Sequence, residues 1–333
     1  MRVLLVMVLF LPSSRFALAA ESCVPARAMI VLDKSSSMET GTIGDTPKWE
    51  IAVDALLEVV SRYDGSIAFG LMLFPDPGQC SAGSVQVNPA LGMRSQIHDA
   101  LGEPPPSAGN WTPMSQTLDA VVALPFASER NGQRYVVLIT DGWQWCSPYE
   151  SNSRFDPVAS VRNLAAVGVG TYVVGFGDQV DALALNQMAV VGGMAPSGCN
   201  STGEQPNSPA PCYLRADDPD SLSSALQAIT LQVSTEVCDG ADNDCDGEID
   251  EECECTPGQM RACREDACEP GQQECLPDGT WNDCEAFRAA TPEVCDGEDN
   301  DCNGTSDDDA DGTLCPDDGM CLGGVCVYPP DHP

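Results

Sequence analysis

The chain has 333 residues, 18 cysteines and a formal net charge of −36, from 51 acids against 15 lysines and arginines. Binding a phosphate backbone requires cations, so this charge excludes an ordinary nucleic-acid binder. The length suffices for one sizeable core plus a smaller unit, and such acidity repels itself unless counterions, divalent cations above all, occupy it.

In chain order, Arg2, the apolar run Val3 to Leu11 and the small-residue stretch FALAA read as a signal peptide, residues 1–19. The run is too short for a permanent membrane helix, and no later run is long enough. An exported chain without a transmembrane segment is expected, secreted, at the cell surface or periplasmic. In such a compartment an even cysteine number reads as disulfides. Five cysteines precede residue 236 and 13 follow it. Full pairing therefore needs a bridge between the two regions, with Cys23 the candidate.

Residues 20–235 then alternate strand-like and helix-like segments. AMIVLD is followed by TPKWEIAVDALLEVVSRYD at helical spacing, then by SIAFGLMLF and SVQVNP. RSQIHDALGE and TPMSQTLDAVVAL read as helices, RYVVLITDG as a strand, and DPVASVRNLAAVG as a helix. GTYVVGFG, helical VDALALNQMAVVG, the short strand CYLRA and helical DPDSLSSALQAITLQV complete the region. Strands that are apolar almost throughout, each followed by a helix, call for α/β architecture with a mostly parallel sheet covered on both faces. SVQVNP follows its predecessor too closely for a crossover helix and is expected as one antiparallel edge strand.

From residue 236 to 333 the pattern stops. This stretch carries 29 acids against three arginines, with 13 cysteines and few large apolar residues. It is expected to be a small, disulfide-rich, loop-dominated acidic tail, held by cross-links and metal ions or flexible. EVCDGADNDCDGEID at 236–250 returns as EVCDGEDNDCNGTSD at 293–307, a period of 57 that defines repeats at 236–253 and 293–310.

In open α/β sheets, ligands bind beyond the carboxyl ends of strands where strand order reverses. Asp33 ends the first strand, Asp141 ends RYVVLIT, and Thr112 opens a helix. Should those strands be neighbours, Asp33, Ser35, Ser37, Thr112 and Asp141 converge. These hard oxygen ligands are too few to wrap calcium but suit octahedral magnesium that keeps some waters. The alternative for DKSSS alone is a helix N-cap.

DKSSS, the Thr of WTPMSQTL and the Asp of LITDG together resemble the von Willebrand factor type A domain and its metal-ion-dependent adhesion site. VVGFGDQVDALALNQMAVVGG looks like that family's fifth strand and following helix, and the resemblance covers residues 25–235. It implies a doubly wound six-stranded sheet of order 3-2-1-4-5-6, with Mg2+ (or Mn2+ or Ca2+) between strands one and four. It implies that Ser35, Ser37 and Thr112 touch the metal while Asp33 and Asp141 act largely through water. It also implies a vacant coordination position, completed by a protein partner presenting an acidic side chain. Trp111, Trp143 and Trp145 adjoin these loops and are expected either to rim the metal and contact the partner or to pack beneath their own loops. Cys80 is expected near Cys146, and Cys199 near Cys212.

In the tail, Asp242, Asp244 and Asp246 fall at alternate positions before Gly247, with Asp250 following, as a calcium loop opens. The second copy holds Asp299, Asp301, Asn303 and Asp307. Neither copy ends as an EF-hand does, and flanking helices are lacking. The repeat instead resembles the C-D-G-x-D-N-D-C-[DN]-G metal-binding motif of bacterial secreted and surface proteins, which adds Asp239 and Asp296 as calcium ligand candidates. Clamps of Cys238 with Cys245 and Cys295 with Cys302 would close each loop, and a Cys23–Cys238 bridge competes. An unliganded acidic spacer is the alternative. Zinc is not expected, since paired C-x-x-C units are lacking and the histidines are only His98 and His332.

Neither histidine adjoins the candidate site, and G-x-S-x-G and phosphate-loop motifs are missing. The chain is therefore read as a metal-dependent, adhesion-type binding module rather than an enzyme. The alternative is a structural calcium-binding envelope or matrix protein.

Overall fold

The computed structural model describes residues 24–328 apart from 131, 147, 241, 246, 247, 252, 264–270, 287–290, 302, 309–313, 317 and 318. The segment 1–19, Cys23, Asp246 and Cys302 thus lie outside the described residues. The chain forms two compact units, Met1–Ser234 with Ala241–Gly247, and Thr235–Gly240 with Glu248–Pro333.

The first unit is built on a six-stranded sheet: β1 Arg27–Asp33, β2 Ala68–Phe74, β3 Ser84–Ala90, β4 Arg134–Thr140, β5 Gly170–Phe176 and β6 Leu214–Ala216. Their order is β3-β2-β1-β4-β5-β6. All neighbours are parallel except β3, which runs antiparallel to β2 at the edge. Among the described residues, its helices of more than two turns are α1 Lys48–Tyr63, α2 Arg94–Leu101, α3 Met114–Val122, α4 Asp156–Ala166, α5 Ala182–Val191 and α6 Pro219–Val233.

Period-two alternation along β1 divides the core. Ala28, Ile30 and Leu32 face a layer with Ile51, Leu56 and Val60 of α1, Ile97 of α2 and Leu226 and Ile229 of α6. Met29 and Val31 face the opposite layer, with Leu118 of α3, Val161 of α4 and Leu185 of α5. Both faces are covered, which is why the inner strands are apolar almost throughout rather than alternating. α6 begins with Pro219, and Asp218 and Ser221 cap each other's backbone N–H groups, so its start is set by local sequence.

β1 pairs with β2 on one side and β4 on the other, with Leu32 opposite Ile139. The strand order reverses between β1 and β4, so Asp33 and Asp141 leave the sheet side by side.

The second unit holds a three-stranded antiparallel sheet of Met260–Cys263, Gly271–Glu274 and Glu285–Ala286, and a ribbon of Met320–Cys321 with Cys326–Val327. Among its described residues the buried apolar side chains are cysteines: Cys238, Cys255, Cys275 and Cys315. Disulfides Cys238–Cys253, Cys255–Cys275, Cys263–Cys284, Cys295–Cys321 and Cys315–Cys326 take the place of a core.

These bridges correct the expected clamps of Cys238 with Cys245 and Cys295 with Cys302, and the competing Cys23–Cys238 pair. Gly240 N donates to the Asp250 carboxylate at 3.1 Å, which brings the end of the loop rather than its middle beside Cys238. Cys253 is then the cysteine in reach. In the second copy the position 57 residues beyond Cys253 is Ala310, so Cys295 takes Cys321 from the third cysteine group instead. Cys245 is itself disulfide-bonded. In the first unit Cys80 pairs with Cys146 and Cys199 with Cys212. Among the described residues no helix is long and apolar enough to cross a membrane.

Candidate metal centre

Three loops beyond the carboxyl ends of β1 and β4 build the centre. Asp33 is fully buried; its Oδ1 accepts Ser35 N at 2.8 Å and its Oδ2 accepts Thr140 Oγ1 at 2.7 Å. Ser35 Oγ lies 2.9 Å from Ser37 Oγ, and Ser37 Oγ donates to Asp141 Oδ1 at 2.7 Å. Ser35 and Asp141 are buried, whereas Ser37 is exposed at the open side. Thr112 arrives from the loop before α3. Its backbone exchanges two 3.0 Å hydrogen bonds with Trp145, in the loop after Asp141. Ser35, Ser37 and Thr112 line one cleft together with Gly142. The structure thus joins Asp33, Ser35, Ser37 and Asp141 through short hydrogen bonds and sets Thr112 on the wall beside them.

The helix-cap alternative fares poorly locally. Ser35 precedes the short helix Ser36–Thr40 but makes no side-chain cap bond there.

The electrostatics fit a small hard cation. Burial first, and the charge of Asp141 second, push the Asp33 carboxyl up to about 7, against the hydrogen bonds from Ser35 and Thr140. Two buried carboxylates held together beside three hydroxyls offer an all-oxygen donor set, and a divalent ion would relieve their repulsion.

The pH dependence follows in sign. Between about pH 4 and 7, folded metal-free protein holds a proton on Asp33 that the unfolded chain releases, so this group's contribution to stability falls as pH rises through that window. A bound cation needs Asp33 ionised. The thermal shift produced by magnesium is therefore expected to be larger at about pH 8 than at about pH 5, and Asp33→Asn should flatten that difference. Equal shifts in the wild-type protein at both pH values would contradict it.

Lys48 completes the centre and was not singled out by its sequence. Its Nζ donates to Asp141 Oδ2 at 2.9 Å, with both side chains buried. The pair leaves two carboxylates facing one ammonium. The lysine stem runs between two glycines: a Cβ at Gly41 or Gly177 would come within 3.2 or 3.0 Å of Lys48 Cε, and Gly177 has φ +89°. One sequence signal was available. Lys48 stands in the first turn of α1, where the helix dipole disfavours a cation, so it answers to another charge.

Trp111, Trp143 and Trp145 line the same cleft, joined by Tyr149, which sequence reading also passed over.

In the tail the second repeat gathers acids differently from the expected alternate-position set. Carboxylate oxygens of Glu293, Asp301 and Asp308 all lie within 4.8 Å of one another. Asn303 Nδ2 donates to Asp301 at 3.1 Å and Asp308 at 2.9 Å. Asp296, Asp299 and Asp307 turn to loop N–H groups: of Glu298, of Asn303 and Gly304, and of Asp296 and Gly297 respectively. Glu293 and Asp308 fell outside the D-x-D pattern because one precedes the loop and the other follows it. The repeat itself held the signal, for both copies begin with Glu-Val-Cys-Asp-Gly.

In the first repeat Asp250 N donates to Glu236 at 3.3 Å, as Asp307 N does to Glu293 at 2.8 Å. Asp239 lies in the turn before Gly240, and buried Asp242 uses its carbonyl to accept Val24 N. The residues 57 positions before Glu293, Asp301 and Asp308 are Glu236, Asp244 and Glu251.

The family model described as von Willebrand factor type A domain matches residues 29–205, and the one described as "Putative metal-binding motif" matches 233–251, 264–287 and 286–308. Among solved structures the chain is similar to proximal thread matrix protein 1 from the mussel byssus, 17% identical over 64% of this chain and 47% of that one, TM-score 0.45. It is similar to a von Willebrand factor type A protein from Catenulispora acidiphila, 15% identical over 63% and 42%, TM-score 0.46. A third is the same mussel protein with zinc occupied MIDAS motif, 21% identical over 66% and 52%, TM-score 0.45. The chain spans about half or less of the length of these structures. No curated protein matches the sequence.

Proposed function

Since the chain belongs to the von Willebrand factor type A domain family, we propose that it is an exported, metal-dependent protein-binding module of adhesion type. Residues 20–235 are the binding domain, 236–333 a cation-stiffened tail, and 1–19 a signal peptide. The observation that carries this reading is the chain of short hydrogen bonds linking Asp33, Ser35, Ser37 and Asp141 at the floor of an open cleft. Ser35, Ser37 and Thr112 would hold Mg2+, Mn2+ or Ca2+ directly, with Asp33 and Asp141 behind them. The cation supplies a positive centre for one carboxylate of a partner protein. Export is supported by the disulfides in both units, which persist in oxidising compartments.

The test is capture by the full chain. Immobilised protein should retain a partner from native cell surfaces with magnesium and release it with EDTA, and Asp33→Ala should lower magnesium affinity by roughly 10–100-fold, the range for outer-sphere partners. Capture that ignores both chelator and mutation would instead leave a structural calcium-binding matrix protein.

For the tail we propose Ca2+ at Glu293, Asp301 and Asp308 of the second repeat. Glu293→Gln removes one of three charges and turns one carboxylate oxygen into an NH2, so it can no longer accept both Asp301 N, at 2.7 Å, and Asp307 N, at 2.8 Å. It should weaken calcium binding by about 10-fold or more, read by isothermal titration. An unchanged isotherm would assign the acids to solvation alone.

A further inference from the structure

The cleft above the metal centre has a volume of about 520 Å³ and a lopsided lining. Apart from Ser35, Ser37 and Thr112, its wall is mostly aromatic: Trp111, Trp143, Trp145 and Tyr149. The three tryptophans remain 37–41% exposed, which is access enough for a ligand.

This wall is fixed before any ligand arrives. Trp145 lies flat on Tyr149, ring centroids 4.3 Å and planes 8° apart, and Trp111 tilts against Trp145 at 6.3 Å. Trp111 N donates to Gln79 O at 2.9 Å, and the Cys80–Cys146 bridge ties the Gln79 turn to the loop that carries Trp145. The Arg154 guanidinium sits 4.7 Å from the Trp143 ring centroid while it bonds Asp181 through two nitrogens. Rings held in place this way lose little freedom on binding.

We propose that the cleft reads the residues beside the metal-bound acid. The partner presents an extended protein segment whose single acidic side chain is flanked by a bulky apolar or aromatic side chain, seated among Trp111, Trp143 and Trp145. The inference rests on the metal-dependent reading above and adds the chemistry of the flank.

Two observations commit it to this occupant. The first is charge. A divalent cation added to Asp33, Asp141 and Lys48 leaves one positive charge, enough for one carboxylate, and the chain as a whole is strongly negative. A second acid beside the first would meet no compensation. The second is hydrogen bonding. Asn110 and Ser36 of the wall are tied to each other and to the loops: Asn110 Oδ1 accepts Gln79 N, its Nδ2 donates to Lys34 O, and Ser36 Oγ accepts Asn110 N. An acidic sugar would stack on the rings but bring several hydroxyls to a wall that is mostly ring face, and burying them unpaired is costly. An apolar side chain makes no such demand and gains from contact with the rings.

The test uses the full chain and four probes: a labelled nine-residue Gly-Ser peptide with central Glu flanked by Trp, the same with Ser flanks, the Trp-flanked peptide with Gln for Glu, and an oligoglucuronate. With magnesium, the Trp-flanked Glu peptide should bind at least about 10-fold tighter than the Ser-flanked one, the worth of burying one large apolar side chain. The Gln peptide and EDTA should abolish binding. Trp143→Ala and Trp111→Ala should each shrink the flank advantage while magnesium affinity, measured without peptide, stays unchanged. Magnesium-dependent binding that is indifferent to the flank, an advantage that survives both tryptophan variants, or tighter binding of the oligoglucuronate overturns this proposal alone. No magnesium-dependent binding of either Glu peptide overturns it together with the reading it rests on.

Discussion

Lys48→Met is expected to destabilise the chelator-treated protein by about 3 kcal/mol, the lower end of the cost of removing one partner from a buried ion pair. The substitution keeps the stem that packs between Gly41 and Gly177 but removes the ammonium from Asp141. Two buried carboxylates then face each other without compensation. The loss stays at the lower end because Asp33, already pushed up to about 7, can take up a proton. Magnesium should reverse the effect. With one positive charge fewer at the centre, the variant should bind the cation more tightly than wild type and recover more stability from it. Urea unfolding in EDTA and in magnesium measures both halves. Equal stability of variant and wild type in EDTA would mean that Lys48 does not balance the centre.

The second large effect concerns the Cys80–Cys146 bridge. It spans 66 residues, for which chain entropy gives about 4 kcal/mol as an upper estimate. Replacing both cysteines with Ser should lower the unfolding temperature. It should also weaken partner capture, because Cys146 follows Trp145, whose backbone holds Thr112 in place. The bridge Cys199–Cys212 spans 13 residues and does not line the cleft, so its removal should cost about 3 kcal/mol and leave capture intact. Thermal unfolding and capture on both double variants separate the two roles. Capture lost equally in both would reduce the first bridge to a general staple.

Much of the first unit was legible because its signals are local or periodic. AMIVL and FGLMLF are apolar throughout since both faces of the sheet are covered, and together with the repeated strand-then-helix order this called for a mostly parallel α/β sheet. The edge position of β3 followed from the short connection before it. The loops of the candidate metal centre were legible because each oxygen-bearing residue stands at the end of a strand or the start of a helix.

Lys48 and Tyr149 were not legible in the same way. Lys48 acts through Asp141, 93 residues away along the chain, while Tyr149 stacks on Trp145 only four residues before it but joins the cleft wall only where distant loops meet. The tail shows the same limit more sharply. Its period of 57 was plain, but the cysteine partners were not, since any cysteine that the folded loop brings within bridging range can close the bond. The hydrogen bond from Gly240 to Asp250 draws Cys253 to Cys238, and Ala310 denies the second copy that choice.

Sequence by itself determined the layered α/β unit, the oxygen-bearing residues at the carboxyl edge of its sheet and the acidic repeats, because burial on two faces and repeated spacing are written in residue order. Only the tertiary structure decided which acid meets the lysine, which cysteines close the tail loops and which rings wall the cleft. Those outcomes depend on distances across the fold, where an ammonium or a thiol pairs with whatever group packing brings within reach.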